Sequence, residues 1–568
     1  MNKENADQLP EHCTVLIAGG GPCGLMLANE LGRRGIDAVL VDQKETTAFN
    51  PQANATQART MEHFRRLGFV SEVRALGLPP DFPTDIAYFT RFSTHELARF
   101  KLPSARQAVT SVASLDGSWS AAELPHRVSQ KYVEQVLRRH AEALAGISVN
   151  YGWRLLDFRQ HSDGVHASLQ NVKDGTERKI SAAFLVGADG PRSTVRQALG
   201  INYAGDEGAV RDFFGGPMLA VYVRAPDFYR VVPHSPAWMN VTFNTNRRSF
   251  MASVDGKGEF AFHTQLRPDE RAETVTRERA LELFREAVGA PVEAEVLSFG
   301  TWIAGYALVA EKFQTGRVFI AGDAAHLFTP AGGLGYNTAI EDAVNLGWKL
   351  AAVTRGTAPL ELLDSFEQER RPSAVRNTFY AREFAESLGL YVPDPAIEEH
   401  SDKGAAARMQ AGEYLGAHGK KEFNIPGVTF GTRYDGSSII ISDGTSPPPD
   451  AANSYVPSAC PGGRAPHVWI AEGKSLYDLF GFEWTLLQLS PQVDCNRFID
   501  EAGRIGMDLK VVTLDLPVLR DLYQADLALI RPDQVVAWRG RGDGDVADVL
   551  RQAIGARNSE VARYELQE

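Results

Sequence analysis

Thr14-Val-Leu-Ile-Ala18-Gly19-Gly-Gly21-Pro-Cys-Gly24-Leu25 decides the fold of this chain. Residues 14–18 are a short apolar run of strand type. Glycines follow at 19, 21 and 24, in the spacing Gly-x-Gly-x-x-Gly. Residues 25–34 read as a helix, which Gly35 ends. Residues 37–42 read as a second strand, and Asp42 closes it 18 positions after Gly24. Alone, such a triplet can be no more than a glycine-rich turn. With a strand before it, a helix after it and an acid at this distance, it reads as a βαβ unit built around a pyrophosphate. Gly19 permits the tight turn, Gly21 lets the backbone approach the phosphates, and Gly24 lets helix and strand pack closely. The pyrophosphate then sits at the positive end of the helix dipole, and Asp42 is placed to accept ribose hydroxyls.

Around this unit the composition is that of a folded protein. The chain has 568 residues, 44% hydrophobic and 23% charged, a length that suggests about three domains. The net charge of −12, without a basic block, argues against nucleic-acid binding. Cys13, Cys23, Cys460 and Cys495 stand far apart, with no zinc-type spacing and no CxxC pair, so no metal site is expected. So few cysteines suit a reducing cytoplasm. The N-terminus lacks the pattern of a secretory signal, and no stretch of about 18 apolar residues predicts a membrane span.

Further along, residues 131–144 predict an amphipathic helix, and residues 213–266 are mostly strands and turns, with alternation at 218–223 and 260–264. Residues 337–354 predict a long helix. Another is expected over 360–370, with Pro359 in its first turn and Pro372 stopping it. From 400 to 450, alanine, glycine and charge, then clustered prolines, predict a linker. Strands and helices alternate beyond it. A second glycine cluster, Gly540-Arg-Gly542-Asp-Gly544, has Asp545 where the third glycine should be; Asp545 reads instead as a helix N-cap.

Two more strand–turn–helix junctions carry acids. One is Phe184-Leu-Val-Gly-Ala-Asp189-Gly190-Pro-Arg-Ser193; the other is Arg317-Val-Phe-Ile-Ala-Gly322-Asp323-Ala-Ala-His326. Either alone is an ordinary capped junction. In this order, behind the glycine triplet, they resemble the flavoprotein aromatic hydroxylases, the single-component FAD monooxygenases of the para-hydroxybenzoate hydroxylase and phenol hydroxylase type. The resemblance runs over residues 13–380. It includes Thr329-Pro330-Ala-Gly-Gly-Leu-Gly335-Tyr-Asn337 and Glu369-Arg-Arg-Pro372. Pro461-Gly-Gly-Arg-Ala-Pro-His467, Arg531-Pro-Asp533 and Trp538-Arg539 resemble the thioredoxin-like domain of the longer members.

The resemblance implies an α/β fold in three parts. A Rossmann-like FAD-binding domain spans 1–400, interrupted by a substrate-binding sheet at about 80–110 and 205–300. A linker covers 400–450, and a thioredoxin-like domain without CxxC covers 451–568. Gly19, Gly21 and Gly24 would hold the FAD pyrophosphate and Asp42 the adenosine ribose. Gln130 would touch the cofactor, Asp189 would serve FAD and the nicotinamide donor, and Asp323 would bind the ribityl chain. Pro330 and the backbone through Gly333, Leu334, Gly335 and Asn337 would lie against the isoalloxazine. Where the family usually has Pro-Arg-Ala, this chain has Pro51-Gln52-Ala53. Gln52 can hydrogen-bond but not neutralise a phosphate, and Arg59 is the nearby alternative for the flavin region.

The implied reaction is that of an NAD(P)H-dependent aromatic monooxygenase. NADPH or NADH reduces FAD, dioxygen adds at flavin C4a as a hydroperoxide, and one oxygen passes to a phenolic ring. A nitro or halogen substituent could be displaced in the same step. Tyr222, Arg224, Tyr229, His234 and His263 are candidate pocket contacts, though each alone reads more simply as a surface or core side chain. No catalytic base stands out. A small phenolic substrate, a homodimer and a cytoplasmic location complete the expectation. The alternatives are a flavin oxidoreductase that inserts no oxygen and a flavin-binding sensor without turnover. A halogenase is disfavoured, because Trp153, Trp238 and Trp302 stand singly, outside any WxWxIP run.

Overall fold

The apolar run at the head of the chain is a strand, His12–Ala18, in the middle of an eight-stranded sheet. It pairs in parallel with Ala38–Asp42 on one side and Glu177–Gly187 on the other. Ile147–Tyr151 and Val318–Ile320 extend the parallel array outward. Val15, Leu16, Ile17, Leu40, Leu185 and Phe319 are fully buried, as strands covered on both faces require. The computed structural model describes residues 9–206 and 215–556. Phe213, the start of the expected strand region, lies outside the described residues.

Helix Pro22–Gly32 begins three positions earlier than its apolar pattern suggests. Pro22 takes the first helical position, where a missing N–H costs nothing. This helix packs between Gln130–Glu142 and the long helix Leu334–Thr354.

A second, seven-stranded sheet runs Glu295–Ala304, Gly216–Arg224, Glu259–Gln265, Ser249–Ser253, Met239–Thr242, Ile86–Phe89, Glu96–Phe100. Its pairs are antiparallel except Met239–Thr242 with Ile86–Phe89. Alternation decides its two faces. Leu219, Val223, Phe260 and Phe262 pack with helix Arg277–Val288, whereas Ala220, Tyr222, Ala261 and His263 face a cavity.

Two expectations need correction. Pro372 does not stop a helix; it lies inside Asp364–Gly389, and Pro359 precedes only a 3-10 turn, Leu360–Leu363. The proline removes one backbone donor. The helix continues because Phe366, Ala374, Phe384 and Ala385 are fully buried along it. The 400–450 stretch is not simply a linker, since it contains the helix Asp402–Phe423. Its small residues serve close packing: a Cβ on Gly412 would stand 2.4 Å from the Leu97 carbonyl oxygen. The composition that reads as loop is a helix face laid on strand Glu96–Phe100.

The C-terminal sheet has the order Leu509–Thr513, Trp484–Gln488, Leu527–Ile530, Val536–Gly540. The first pair is parallel and the other two antiparallel. Asp545 caps helix Val546–Ala553, accepting from the Ala547 and Asp548 N–H groups. The four cysteines are free thiols. Among the described residues no helix is long and apolar enough to cross a membrane.

Candidate cofactor and substrate site

The glycine turn opens onto a cavity of about 1790 Å³ that extends to the inner face of the seven-stranded sheet. That exceeds the roughly 300–1,000 Å³ usual for one ligand, so two can share it. Each glycine of the turn has its own geometry. Gly19 has φ +116°, and a Cβ there would sit 2.1 Å from the Ala188 carbonyl oxygen. A Cβ on Gly24 would lie 1.9 Å from the Gly19 carbonyl oxygen, whereas one on Gly21 would meet nothing within 4 Å. Gly24 therefore sets the strand–helix distance, and Gly21 faces open cavity. Helix Pro22–Gly32 has no side-chain cap and no acid in its first turn. Its free N–H groups suit a phosphate.

Asp42 braces this turn. Its carboxylate accepts the Gly20 N–H at 2.7 Å and the Lys44 N–H at 2.8 Å, and it lines the cavity. Tyr151 donates its hydroxyl to the Gly20 carbonyl at 2.8 Å. Gln130 lines the wall and donates to Glu134 at 2.8 Å and to Gln52 at 3.5 Å. Glu134 also accepts the Ala48 N–H at 2.7 Å, and burial raises its pKa against those bonds.

Asp189 accepts the Val195 N–H at 3.2 Å through Oδ2, while Oδ1 has no partner. Burial raises its pKa. Asp323 also faces the cavity with its pKa raised by burial. Asp342, fully buried, holds the turn beneath it by accepting from Gly322 N–H at 3.0 Å, His326 at 2.6 Å and Arg370 at 2.8 Å. Unsatisfied carboxylate oxygens facing open space suit hydroxyl donors from a ligand.

Pro330, Gly333, Leu334 and Gly335 form the next stretch of wall. Gly332 and Gly333 have φ of +70° and +63°, and Gly333 is the uncapped N-terminus of helix Leu334–Thr354. A second helix start thus aims free N–H groups into the same cavity. Asn337 stands behind this wall. It accepts from Gln57 N–H and the Thr60 hydroxyl, both at 2.8 Å, and donates to Gly333 at 2.7 Å. Glu422, from the helix in the expected linker, accepts the Gly332 N–H at 2.9 Å.

Arg59 corrects an expectation. It turns away from this cavity to pair with Glu62 at 2.9 Å, and to donate to Gln534 at 2.6 Å and Asp533 at 2.5 Å. Those acceptors come from the far end of the chain, where nearby sequence gives no sign of them. Three pocket candidates also lie off the wall. Arg224 pairs with Glu259 and Glu295, Tyr229 bonds Ser253 at 2.9 Å, and His234 bonds the Thr94 carbonyl at 2.5 Å. Tyr222 and His263 do line it. Tyr222 donates to Glu259 and accepts from Lys131 at 2.5 Å; burial and Glu259 raise its pKa, so it stays protonated. His263 stacks on Phe250 at 4.5 Å, and burial lowers its pKa to about 4. It is neutral at physiological pH.

Sequence reasoning missed Tyr151, Glu134, Glu422, Arg127 and Trp238 in or beside this wall. Only Glu134, four residues after Gln130 on one helix, had a spacing signal.

Residues 12–379 match a family model described as an FAD binding domain, and residues 458–556 one described as the C-terminal region of aromatic-ring hydroxylases. The chain is 32% identical to aklavinone 12-hydroxylase RdmE of Streptomyces purpurascens, over 95% of this chain and 98% of the relative. It is 28% identical to phenol 2-monooxygenase of a Pseudomonas species, over 93% and 90%. Among solved structures it is similar to the rebeccamycin biosynthetic enzyme RebC, soaked with chromopyrrolic acid and holding 7-carboxy-K252c. The TM-score is 0.87, with 31% identity, covering 97% of this chain and 100% of that one.

Proposed function

Because this chain belongs to the FAD-dependent aromatic-ring monooxygenases, we propose that its cavity holds FAD along one wall and a phenolic aromatic substrate along the other. NADH or NADPH is the proposed reductant and dioxygen the oxidant. The observation that carries the assignment is the convergence of two uncapped helix starts, at Gly21 and Gly333, on one cavity that Asp189 and Asp323 also line. Parallel strand order around His12–Ala18 supports a Rossmann-like cofactor domain. The C-terminal order of one parallel and two antiparallel pairs supports a thioredoxin-like unit.

Bound FAD supplies the redox chemistry, taking electrons from the nicotinamide and activating dioxygen for transfer of one oxygen atom to the ring. The residues around it do the rest. Gly19, Gly21 and the N-terminus of helix Pro22–Gly32 bind the pyrophosphate. Asp42 orients the adenosine ribose, and Asp323 the ribityl hydroxyls. Gln52 and Gln130 offer neutral hydrogen bonds nearby. The start of helix Leu334–Thr354 places positive potential against the ring system, which stabilises negative charge there. The seven-stranded sheet roofs the pocket and excludes water. His263, held neutral, can accept or donate one hydrogen bond to the substrate without bringing a charge.

The cavity volume of about 1790 Å³ leaves room beside FAD for a multi-ring phenol as well as for phenol itself. A homodimer and a cytoplasmic setting complete the proposal. The test is NADH and NADPH oxidation with oxygen uptake by the yellow holoenzyme, across phenols, naphthols and larger polycyclic phenols. The expected result is faster oxidation with one class and a product heavier by one oxygen atom. Acceleration by no aromatic compound would reject the substrate half of the proposal.

A further inference from the structure

Arg127 is a buried cation without a partner. It is 8% exposed, and its residual surface lines the cavity. Among the described residues its side chain meets neither a carboxylate nor a hydrogen-bond acceptor. Its guanidinium lies over the face of Trp238, the central carbon standing 4.2 Å from the ring centroid. Burial lowers its pKa to about 10, and no opposing charge contributes. It is therefore still protonated at neutral pH. A buried guanidinium is costly unless something compensates it.

The other basic groups on the wall differ. Lys44 and Arg192 are exposed to solvent. Arg154 is exposed and donates to Gln170 at 2.5 Å. Arg196 donates to the Tyr203 hydroxyl at 2.6 Å. The carboxylate beside Trp238's neighbour Phe423 is already committed, because Glu422 accepts from Gly332 and pairs with His418 at 2.7 Å. None of the acids lining this wall, Asp42, Glu134, Asp189, Glu273, Asp323 and Glu422, contributes a charge to Arg127.

Its surroundings define what else could. Trp238 packs in one apolar cluster with Ala331 and Leu334, at the start of the helix proposed to face the isoalloxazine. Phe423 stands edge-on to Trp238 at 6.2 Å, and Met239 and Ile425 line the same cavity. An apolar compartment walled by aromatic side chains and holding one fixed positive charge is complementary to an aromatic ligand with one negative charge.

We infer that Arg127 is the counter-ion for the substrate, and that the enzyme selects an aromatic ring system bearing an oxyanion, a ring carboxylate or a phenolate. This rests on the proposed reading of the cavity. Arg127 acts here as a specificity residue: Trp238 holds the guanidinium in place, and the oxyanion supplies the missing charge and acceptors.

The test uses FAD-loaded wild type, Arg127→Met, which keeps apolar bulk without charge, and Arg127→Lys, which keeps charge. The probes are 6-hydroxy-2-naphthoate and 2-naphthol near pH 7, titrated by perturbation of the flavin spectrum. In wild type the naphthoate should bind at least about tenfold more tightly. Arg127→Met should abolish that preference by weakening the naphthoate alone, Arg127→Lys should retain part of it, and FAD content should not change. A second arm follows 4-nitrophenol, which ionises near neutrality. Affinity that rises with its ionised fraction in wild type, but not in Arg127→Met, identifies a phenolate. Affinity that is flat in both, with the naphthoate preference intact, identifies a carboxylate.

Equal binding of the two naphthalene probes to wild type, with 4-nitrophenol affinity flat across its ionisation, overturns the inference. So does an Arg127→Met protein that keeps the preference. Loss of FAD in Arg127→Met, with both probes weakened alike, would assign the guanidinium to the cofactor and overturn it as well. If wild type holds FAD and oxidises NADH or NADPH but binds none of the probes, the inference fails while the flavin half of the proposed function stands. Should Arg127→Met not fold, Arg127→Gln provides the neutral variant.

Discussion

Arg531 and Glu369 meet through two hydrogen bonds, Nη1 to Oε1 at 2.6 Å and Nη2 to Oε2 at 2.8 Å. The arginine belongs to the C-terminal unit and the glutamate to helix Asp364–Gly389, and neither side chain has any exposed surface. Lys349 shares Oε2 at 2.7 Å. Burial alone would raise the Glu369 pKa, but the charges of Arg531 and Lys349 outweigh it and hold the carboxyl well below its usual range. Such a cluster is weak evidence of net stabilisation, yet breaking one member leaves a buried charge uncompensated.

Arg531→Met is therefore expected to destabilise the protein by about 3–5 kcal/mol, seen as a lower urea midpoint. Arg531→Lys should recover part of the loss. If Met and Lys cost the same, side-chain packing rather than charge holds the two units together.

The glycine turn gives a sharper contrast. Gly24→Ala puts a methyl group 1.9 Å from a backbone oxygen, whereas Gly21→Ala meets nothing within 4 Å. The backbone at Gly21, φ −81° and ψ −172°, suits alanine. Gly24→Ala should fail to give soluble folded protein. Gly21→Ala should fold with an unchanged apoprotein melting temperature and lose FAD, because the added methyl occupies phosphate space. Full FAD content in a folded Gly21→Ala would remove the pyrophosphate from this turn.

That contrast also explains what the sequence could disclose. Gly19, Gly21, Asp42, Asp189, Asp323 and the 330–335 run all reach the cavity, and each lies in or beside a turn whose geometry is local. Spacing along the chain encodes such a turn directly. Arg127, Trp238 and Glu422 come from three separate segments and meet only through tertiary packing, so no local pattern marks them. Arg59 shows the converse: beyond its neighbour Glu62, its acceptors Asp533 and Gln534 belong to another unit of the fold. The helix Asp402–Phe423 was hidden because glycine and alanine read as loop unless the strand they pack against is known.

Asp323 offers its carboxylate to the cavity from a turn fixed by Asp342. Hydrogen bonds to a charged group are worth about 1.5–3 kcal/mol, so Asp323→Ala should weaken FAD binding roughly 10- to 100-fold. Flavin absorbance retained after ultrafiltration reads this directly. Asp342→Asn should weaken it less, because it loosens the turn without removing the ligand. A yellow, fully loaded Asp323→Ala protein would exclude Asp323 from the cofactor site.

The buried histidines set the response to mild acid. Burial lowers the pKa of His126 to about 4 and that of His467 to about 3. His126 sits against the Leu76 carbonyl at 3.2 Å and His467 against the Ser475 hydroxyl at 2.8 Å, and both are almost fully enclosed. The folded state keeps them neutral, whereas unfolded histidine takes up a proton below about pH 6.5. The unfolded chain then binds more protons, so stability falls as pH falls. The contribution is complete above about pH 6.5 and declines toward the folded values of about 4 and 3. Between about pH 6.5 and 5 each histidine should cost roughly 2 kcal/mol. Ordinary carboxylates are still mostly ionised in that window, so the slope there belongs mainly to histidine. Urea unfolding at about pH 7, 6 and 5 measures it, and His126→Gln keeps a donor for Leu76 while removing the titration. That variant should show a visibly flatter slope, and an unchanged slope would mean that His126 becomes protonated within the fold.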